Sequence, residues 1–192
     1  MEGWTREMTF EQTRLPWVPT SPHITHAYSS YYYVTSGIMG ELGVFSEGVG
    51  YTLPFQIFAA DWIDEQDLSE AMNALGLPGV YFRPIVYKPF YGRDKGKTLR
   101  GVQIHLYDFD QVELMPLQFY FMQVHQGLYP EKDIFGVSEN RWNMFDKVNG
   151  SDQVRLEFSR EYQVKPLLEQ WRREAKAFQQ ESISFWLYPA ND

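Results

Sequence analysis

The chain has 192 residues, of which 44% are hydrophobic and 17% aromatic, and a net charge of −8. This length and apolar content allow one packed domain and exclude general disorder. An acidic balance without a lysine and arginine stripe argues against a nucleic-acid partner. The absence of cysteine excludes disulfides, zinc–thiolate sites and a thiol nucleophile.

The N-terminal segment shows no signal peptide, because no basic region is followed by an apolar run. No stretch approaches the roughly 20 apolar residues of a membrane span, so no membrane partner is expected. Pro16, Pro19 and Pro22 fix φ and restrict the residues before them. Residues 1–36 are therefore predicted to form an extended strap. The aromatic run "YSSYYYVTSGIMGELG" that overlaps its end is predicted to be β-structure.

The segment after Asp64 gives the strongest helix signal in the chain. Asp64 is a suitable N-cap, acidic residues follow it, and Gly76 suits the position just after the helix. The next segment, "VYFRPIVYKPF", is predicted to be an edge strand because it contains two prolines. The strict alternation in "VQIHLYD" then predicts a central strand with Gln103 and His105 on its polar face.

Three further helices are predicted in the second half of the chain, starting near Pro116, after Ser151 and near Pro166. Residues 129–150 are predicted to be mostly loop, and the closing run "ISFWLYP" to be β-structure. Together these elements predict an α+β fold: a compact mixed sheet with about four helices and an extended N-terminal strap.

Three side chains are candidates for chemistry. Glu47 lies between glycines in "GVFSEGVGYTLPFQIF", which either presents the carboxylate to a ligand or simply lets a surface loop turn. His105 either lines a cleft or is a buried histidine satisfied by a neighbour. Arg83 either forms a bidentate interaction with a carboxylate or forms a structural ion pair.

Other patterns favour no site. Arg93, Lys95, Lys97 and Arg100 are interpreted as a solvated basic loop. The spacing of His23 and His26 suits a metal, but the proline-rich strap gives no rigid scaffold and no further ligands, so no metal is expected. Phosphate-binding loops, dinucleotide fingerprints and nucleophile elbows are absent, so no cofactor is expected either.

The stretch "FSEGVGYTLPFQIFAADWID" resembles the C-terminal half of the NamZ-type exo-β-N-acetylmuramidases. The segments "LGLPGVYFRP", "GVQIHLYD", "LYP" and "FDKVNGSD" resemble further family motifs in the same order, so the resemblance covers nearly the whole chain. The residues that match the first motif are Ser46, Glu47, Gly48, Gly50, Thr52, Pro54, Phe55, Trp62, Ile63 and Asp64. Val49 replaces an arginine that is common in the family, Tyr51 a threonine and Gln56 a glutamate.

The resemblance implies a two-lobed enzyme that removes N-acetylmuramic acid from the non-reducing ends of peptidoglycan fragments. A Rossmann-like N-terminal lobe would carry the main catalytic carboxylate, and the C-terminal lobe, residues 37–192 here, would close the cleft. Residues 1–36 would link the lobes. Muramyl sugars and the N-terminal lobe are the implied partners, and export of the full-length protein is expected.

By the same resemblance, the substrate-binding candidates are Ser46, Glu47, Arg83, Gln103 and His105, with Glu47 and His105 assisting catalysis. Glu47, Arg83 and His105 are expected to lie close together on one solvent-reachable concave face. Two other hypotheses stay open: a non-catalytic carbohydrate-binding or protein-interaction module, and a self-sufficient hydrolase that uses Glu47 and His105.

Overall fold

The computed structural model describes residues 2–188. Within that range the chain forms six α-helices and three β-strands. The helices are α1 (Ser29–Gly40), α2 (Glu65–Ala74), α3 (Leu117–Leu128), α4 (Trp142–Asn149), α5 (Gln153–Glu161) and α6 (Val164–Ser182). The strands are β1 (Ile57–Ala60), β2 (Val80–Tyr87) and β3 (Leu99–Leu106). Short 3₁₀ segments occupy Glu11–Thr13, Gly136–Arg141 and Ile183–Phe185. The α+β class is confirmed, although the helices outnumber the four predicted.

The sheet has the order β1-β3-β2. Strand β3 is central and β2 lies at an edge, as the sequence predicts. Both neighbours run antiparallel to β3, so the predicted mixed sheet is wrong. Gln103 is opposite Ile57 on one side and Arg83 on the other. This register places β2 and β3, which the sequence predicted, beside β1, which it did not.

The first face of the sheet carries the main core. Side chains of Phe58, Phe82, Val102 and Ile104 point to this face and are almost completely buried. Helices α1, α2 and α3 supply apolar side chains to the same cluster. Alternation along β3 therefore places its apolar residues in the core and directs Gln103 and His105 to the other face.

The second face is divided into two halves. A small apolar cluster occupies one half; its buried members are Ile57, Ala59, Ile85, Tyr87 and Leu99. Tyr51 and Leu53 pack on this cluster from the loop between α1 and β1, residues 41–56, which is the glycine-rich loop. The other half carries Tyr81, Arg83, Gln103 and His105.

Local signals located the strongest helices correctly. Asp64 caps α2 by accepting hydrogen bonds from the backbone N–H groups of Gln66 (2.9 Å) and Asp67 (3.1 Å). Gly76 follows the helix with a φ of +62°, a conformation that glycine adopts without strain. Helix α3 begins directly after Pro116 and α6 contains Pro166 in its first turn, both as predicted.

Three predicted elements are wrong. The aromatic run expected as β-structure forms helix α1, so the predicted boundary at residue 36 falls inside a helix. Residues 129–150, expected as loop, contain a 3₁₀ segment and helix α4. Residues 183–185 form a 3₁₀ turn rather than a strand; Pro189 of that run lies outside the described residues.

The N-terminal segment lies on the surface. None of residues 2–28 is buried. Its His23 ring stacks on Tyr91 and contacts Phe55 edge to face, with ring centroids 5.9 Å and 6.5 Å apart. This segment therefore touches the glycine-rich loop and the loop that follows β2. Across residues 2–188, no helix combines the length and apolar character needed to cross a bilayer.

Candidate functional site

A cavity of about 640 Å³ opens beside the C-terminal end of α1. Four parts of the chain form its walls: the end of α1 with the loop that follows it, the turn after β1, the loop that follows β2 and the 3₁₀ segment before α4. Its polar lining consists of Ser46, Glu47, Arg93, Asp94, Asn140 and Arg141, and its apolar side chains are Leu42, Val44, Val49, Trp62 and Val137. The volume is in the range of small-molecule sites.

The glycines around Glu47 allow close contact between backbone segments. Gly48 and Gly50 have φ values of +91° and +92°, which bulkier residues avoid. A Cβ at Gly48 would overlap the carbonyl oxygen of Leu53, and one at Gly50 would overlap that of Tyr91. The loop is therefore held tightly against its neighbours, which fixes the position of Glu47.

Glu47 is half-buried, and its carboxyl group lies beside the backbone of α1. A Cβ at Gly40 would lie 3.1 Å from its Cδ and 3.2 Å from its Oε2. Burial raises the pKa of Glu47, partly opposed by its own backbone N–H and by the charge of Arg93. A carboxyl group with a raised pKa keeps its proton to a higher pH than an ordinary glutamate, which favours a role as a proton donor.

Asp94 is a second carboxyl group in the same cavity. Burial raises its pKa, but the hydrogen bond from Lys97 (3.0 Å) and the charge and hydrogen bond of Arg93 (3.1 Å) outweigh burial and leave the pKa lowered. The cavity thus contains two carboxyl groups whose environments shift their pKa values in opposite directions.

Ser46 connects the loop to the sheet. Its backbone pairs with Ala59 of β1, and its Oγ accepts a hydrogen bond of 2.7 Å from the hydroxyl of Tyr87. Burial strongly raises the pKa of Tyr87. Ser46 is 5% exposed. Its hydroxyl is therefore occupied by a structural bond, and its predicted contact with substrate stays a prediction.

Trp62 forms part of the cavity wall, and a hydrogen bond to α3 fixes its indole ring. Its Nε1–H donates a 3.0 Å hydrogen bond to Nε2 of His125, a completely buried histidine on α3. Burial, with a smaller effect of Lys132, lowers the pKa of His125 to about 4. The imidazole is therefore neutral near pH 7 and can accept this bond. The sequence motif contained Trp62, but nothing in the local sequence pointed to His125.

The remaining predicted residues lie elsewhere, on the second face of the sheet. Arg83 donates to Oε1 of Gln103 through Nη2 (2.7 Å) and Nε (3.3 Å). His105 is opposite Tyr81 on the neighbouring strand. Partial burial and the charge of Arg83 lower the pKa of His105. None of Arg83, Gln103 or His105 lines the cavity.

The structure thus separates the predicted set into two places. Ser46 pairs with Ala59, and Ala59 is opposite Gly101 of β3. His105 lies four residues beyond Gly101 on β3, which is about 13 Å along the strand at 3.3 Å per residue. Glu47 turns toward α1, which packs on the first face, whereas His105 projects from the second. The expectation that Glu47, Arg83 and His105 share one concave face is therefore wrong.

Sequence reasoning missed several cavity residues. Arg93, interpreted as part of a solvated loop, donates a 2.7 Å hydrogen bond to the carbonyl of Phe45. Arg141 belongs to a segment expected as loop and donates 2.8 Å to the carbonyl of Glu41. Their role depends on contacts across 48 and 100 residues of chain, which no local pattern indicates. Among residues 2–188, no three histidine or acidic side chains converge as metal ligands.

Comparisons with known proteins agree with this architecture. Residues 31–188 match the family model described as the C-terminal part of the exo-β-N-acetylmuramidase NamZ. The peptidoglycan β-N-acetylmuramidase NamZ of Bacillus subtilis is 29% identical over 188 residues, which is 98% of this chain and 44% of that protein. The crystal structure of a DUF1343 family protein from Bacteroides fragilis superposes with a TM-score of 0.93 at 44% identity, covering 97% of this chain and 49% of that one. The chain thus spans less than half the length of either relative.

Proposed function

Because this chain belongs to the family of NamZ C-terminal domains, we propose that it forms one wall of the substrate cleft of an exo-β-N-acetylmuramidase. The substrate would be the muramyl sugars of peptidoglycan fragments, released from non-reducing ends. A Rossmann-like N-terminal lobe would form the other wall and carry the main catalytic carboxylate. Export of the complete protein, where peptidoglycan is reached, is part of the same proposal.

The observation that carries the proposal is the position of Glu47. Glu47 is half-buried and lines a cavity of about 640 Å³ together with Trp62, Arg93 and Arg141. Glycoside hydrolysis generally uses two carboxyl groups on opposite sides of the scissile bond. Glu47, with its raised pKa, can exchange a proton or a hydrogen bond with a sugar while a carboxylate of the other lobe acts on the bond.

The face of Arg83, Gln103 and His105 would then have a different task. Arg83 is bonded to Gln103, His105 lies on the same face of β3, and none of the three lines the cavity. We assign them to the outer part of the cleft, where a longer peptidoglycan fragment would extend past the terminal sugar. His105, which has a lowered pKa, would contact that fragment as a neutral hydrogen-bonding group.

A self-sufficient hydrolase is the second candidate, and Asp94 is the observation that favours it. Two carboxyl groups with oppositely shifted pKa values occupy one cavity, an arrangement that suits an acid and a base. Against it, Asp94 already bonds Arg93 and Lys97. A non-catalytic sugar-binding module would use the same cavity without turnover.

The test is release of N-acetylmuramic acid by three samples: this chain, the remaining part of the Bacillus subtilis relative, and their mixture. We expect turnover only in the mixture, and Glu47→Gln should lower it by a factor of about 10² to 10⁴. Glu70→Gln, a change at an exposed position of α2, is the matched control.

Two outcomes would replace the proposal. Turnover by this chain alone that is lost in both Glu47→Gln and Asp94→Asn would establish the self-sufficient hydrolase. The non-catalytic module would be favoured if this chain binds the sugar but the mixture shows no turnover. It would also be favoured if Glu47→Gln leaves the turnover of the mixture unchanged.

A further inference from the structure

Two arginine side chains flank Gly43 at the mouth of the Glu47 cavity. A Cβ at Gly43 would lie 3.1 Å from Nη1 of Arg93 and 3.7 Å from Nε of Arg141. The two guanidinium groups therefore lie close to one point from different parts of the chain, one after β2 and one before α4. Both side chains are about half exposed, at 48% and 46%.

Structural bonds use only part of each guanidinium group. Arg93 uses Nε for Asp94 (3.1 Å) and Nη2 for the carbonyl of Phe45 (2.7 Å). Arg141 uses Nε for the carbonyl of Glu41 (2.8 Å) and Nη2 for its carboxylate (3.5 Å). Within residues 2–188, Nη1 of each arginine has no hydrogen-bond partner. These bonds fix the orientation of both side chains and leave one NH₂ group on each available to a ligand.

The surroundings of the two arginines are partly acidic and partly apolar. Asp94 and Glu41 are bonded to Arg93, Lys97 and Arg141, and Glu47, whose pKa burial raises, is the third carboxyl group of the cavity. Val44, Val49 and Val137 line the cavity beside them. Arg93 and Arg141 bring guanidinium groups to this cavity from two other segments of the chain.

We propose that Arg93 and Arg141 bind the carboxylate of the ligand and make this cavity selective for acidic sugars. Resting on the function proposed above, the group bound is the carboxylate of the lactyl ether in N-acetylmuramic acid. Nη1 of each arginine donates to one carboxylate oxygen, and the lactyl methyl group packs on the valines. A sugar without the carboxylate cannot form these two charge-assisted hydrogen bonds, which is the basis of the discrimination.

The test is a titration of this chain with N-acetylmuramic acid and, separately, with N-acetylglucosamine, which lacks the lactyl group. Binding is monitored by the NMR chemical shifts of the Trp62 indole N–H and the Gly43 amide. We expect N-acetylmuramic acid to bind about tenfold tighter or more. Arg93→Gln and Arg141→Gln should each lower its affinity about tenfold and leave that of N-acetylglucosamine unchanged. Arg173→Gln, at an exposed position of α6, should change neither.

A second variant separates binding from folding, since Arg93→Gln also removes the bond to Phe45. Arg93→Lys keeps the charge but not the fixed pair of NH₂ donors, so it should retain an intermediate preference. Equal affinity for both sugars, unchanged by the arginine variants, overturns this inference while the proposed function survives. If neither sugar shifts either NMR signal at sugar concentrations of tens of millimolar, the inference is also overturned. The turnover assay with the second lobe then tests the proposed function separately.

Discussion

The two halves of the second sheet face have the same strand register and opposite surroundings. In one half, Tyr51 and Leu53 cover an apolar cluster, and Tyr87 is only 4% exposed. In the other half, Tyr81 lies on the same face of the same strand and is 50% exposed. Alternation along β2 therefore determines which way a side chain points but not whether it is buried.

The difference comes from the glycine-rich loop. It pairs with β1 through Ser46 and with the segment after β2 through the bond from Phe90 N to Gly50 O (2.8 Å). Where this loop lies, the face becomes a second small core that holds Ser46 and Glu47 in place. Where it does not, Arg83, Gln103 and His105 stay accessible. One face of the sheet thus supports the cavity at one end and offers a polar surface at the other.

The largest effect on stability is expected when the glycine-rich loop is displaced from the apolar half of the second sheet face. Gly50→Ala places a Cβ against the carbonyl of Tyr91 at a φ of +92°, so we expect a loss of about 2–4 kcal/mol in the free energy of unfolding. Gly92→Ala is the matched control, since its φ is +84° and a Cβ there meets nothing within 4 Å; its cost should be about 1 kcal/mol. Urea denaturation measures both, and equal losses would contradict the close packing of the loop.

A smaller effect is expected from a paired change on β2. Tyr87→Phe removes the buried hydrogen bond to Ser46 and should lower the free energy of unfolding by about 1 kcal/mol. Tyr81→Phe removes a hydroxyl that has no hydrogen-bond partner in residues 2–188 and should stay within about 0.5 kcal/mol of the parent. Thermal unfolding of the two variants compares the halves directly. If Tyr81→Phe costs as much as Tyr87→Phe, the open half is not open in solution.

The smallest effect is a dependence on pH. Because the folded-state pKa of Glu47 is raised above its ordinary value of 4.5, the folded protein binds this proton more tightly than the unfolded chain does. The cost of ionising Glu47 is therefore absent well below pH 4.5 and appears as the pH rises through the folded-state pKa. Glu47→Gln should gain thermal stability relative to the parent between pH 4 and pH 8. Glu70→Gln should show no such trend, and a flat difference for Glu47→Gln would refute a raised pKa.

The sequence predicted those parts of the fold that depend on neighbouring residues. Helix α2 is marked by its own cap at Asp64 and its own stop at Gly76, both confirmed. Strand β3 is marked by its alternation. Helix α1 was missed because tyrosine, valine and threonine favour strands. Its helical form depends instead on distant partners: Ser36 donates 2.8 Å to the carbonyl of Phe55, and Met39 N donates 2.8 Å to Gln118.

The candidate site follows the same rule. Glu47 was found because the glycines that position it are its immediate neighbours in sequence. Arg93 and Arg141 were not, because their position depends on loops that meet only in the folded chain. The grouping of Glu47 with His105 was wrong for a related reason. Both belong to family motifs, but a motif does not reveal that one side chain turns to α1 and the other to the opposite face.

The bond between Arg141 and the carbonyl of Glu41 also has a consequence for the order in which the site can be made. It joins residues 100 positions apart, so closing that loop carries a larger entropic cost than closing a shorter one. During synthesis, the sheet has all its strands once residue 106 has been added. The cavity still lacks one wall at that stage, and it is complete only after the ribosome has released residue 141. Any nascent or shortened chain that ends between those two points contains all three strands yet lacks the wall that Arg141 supplies to the pocket around Glu47.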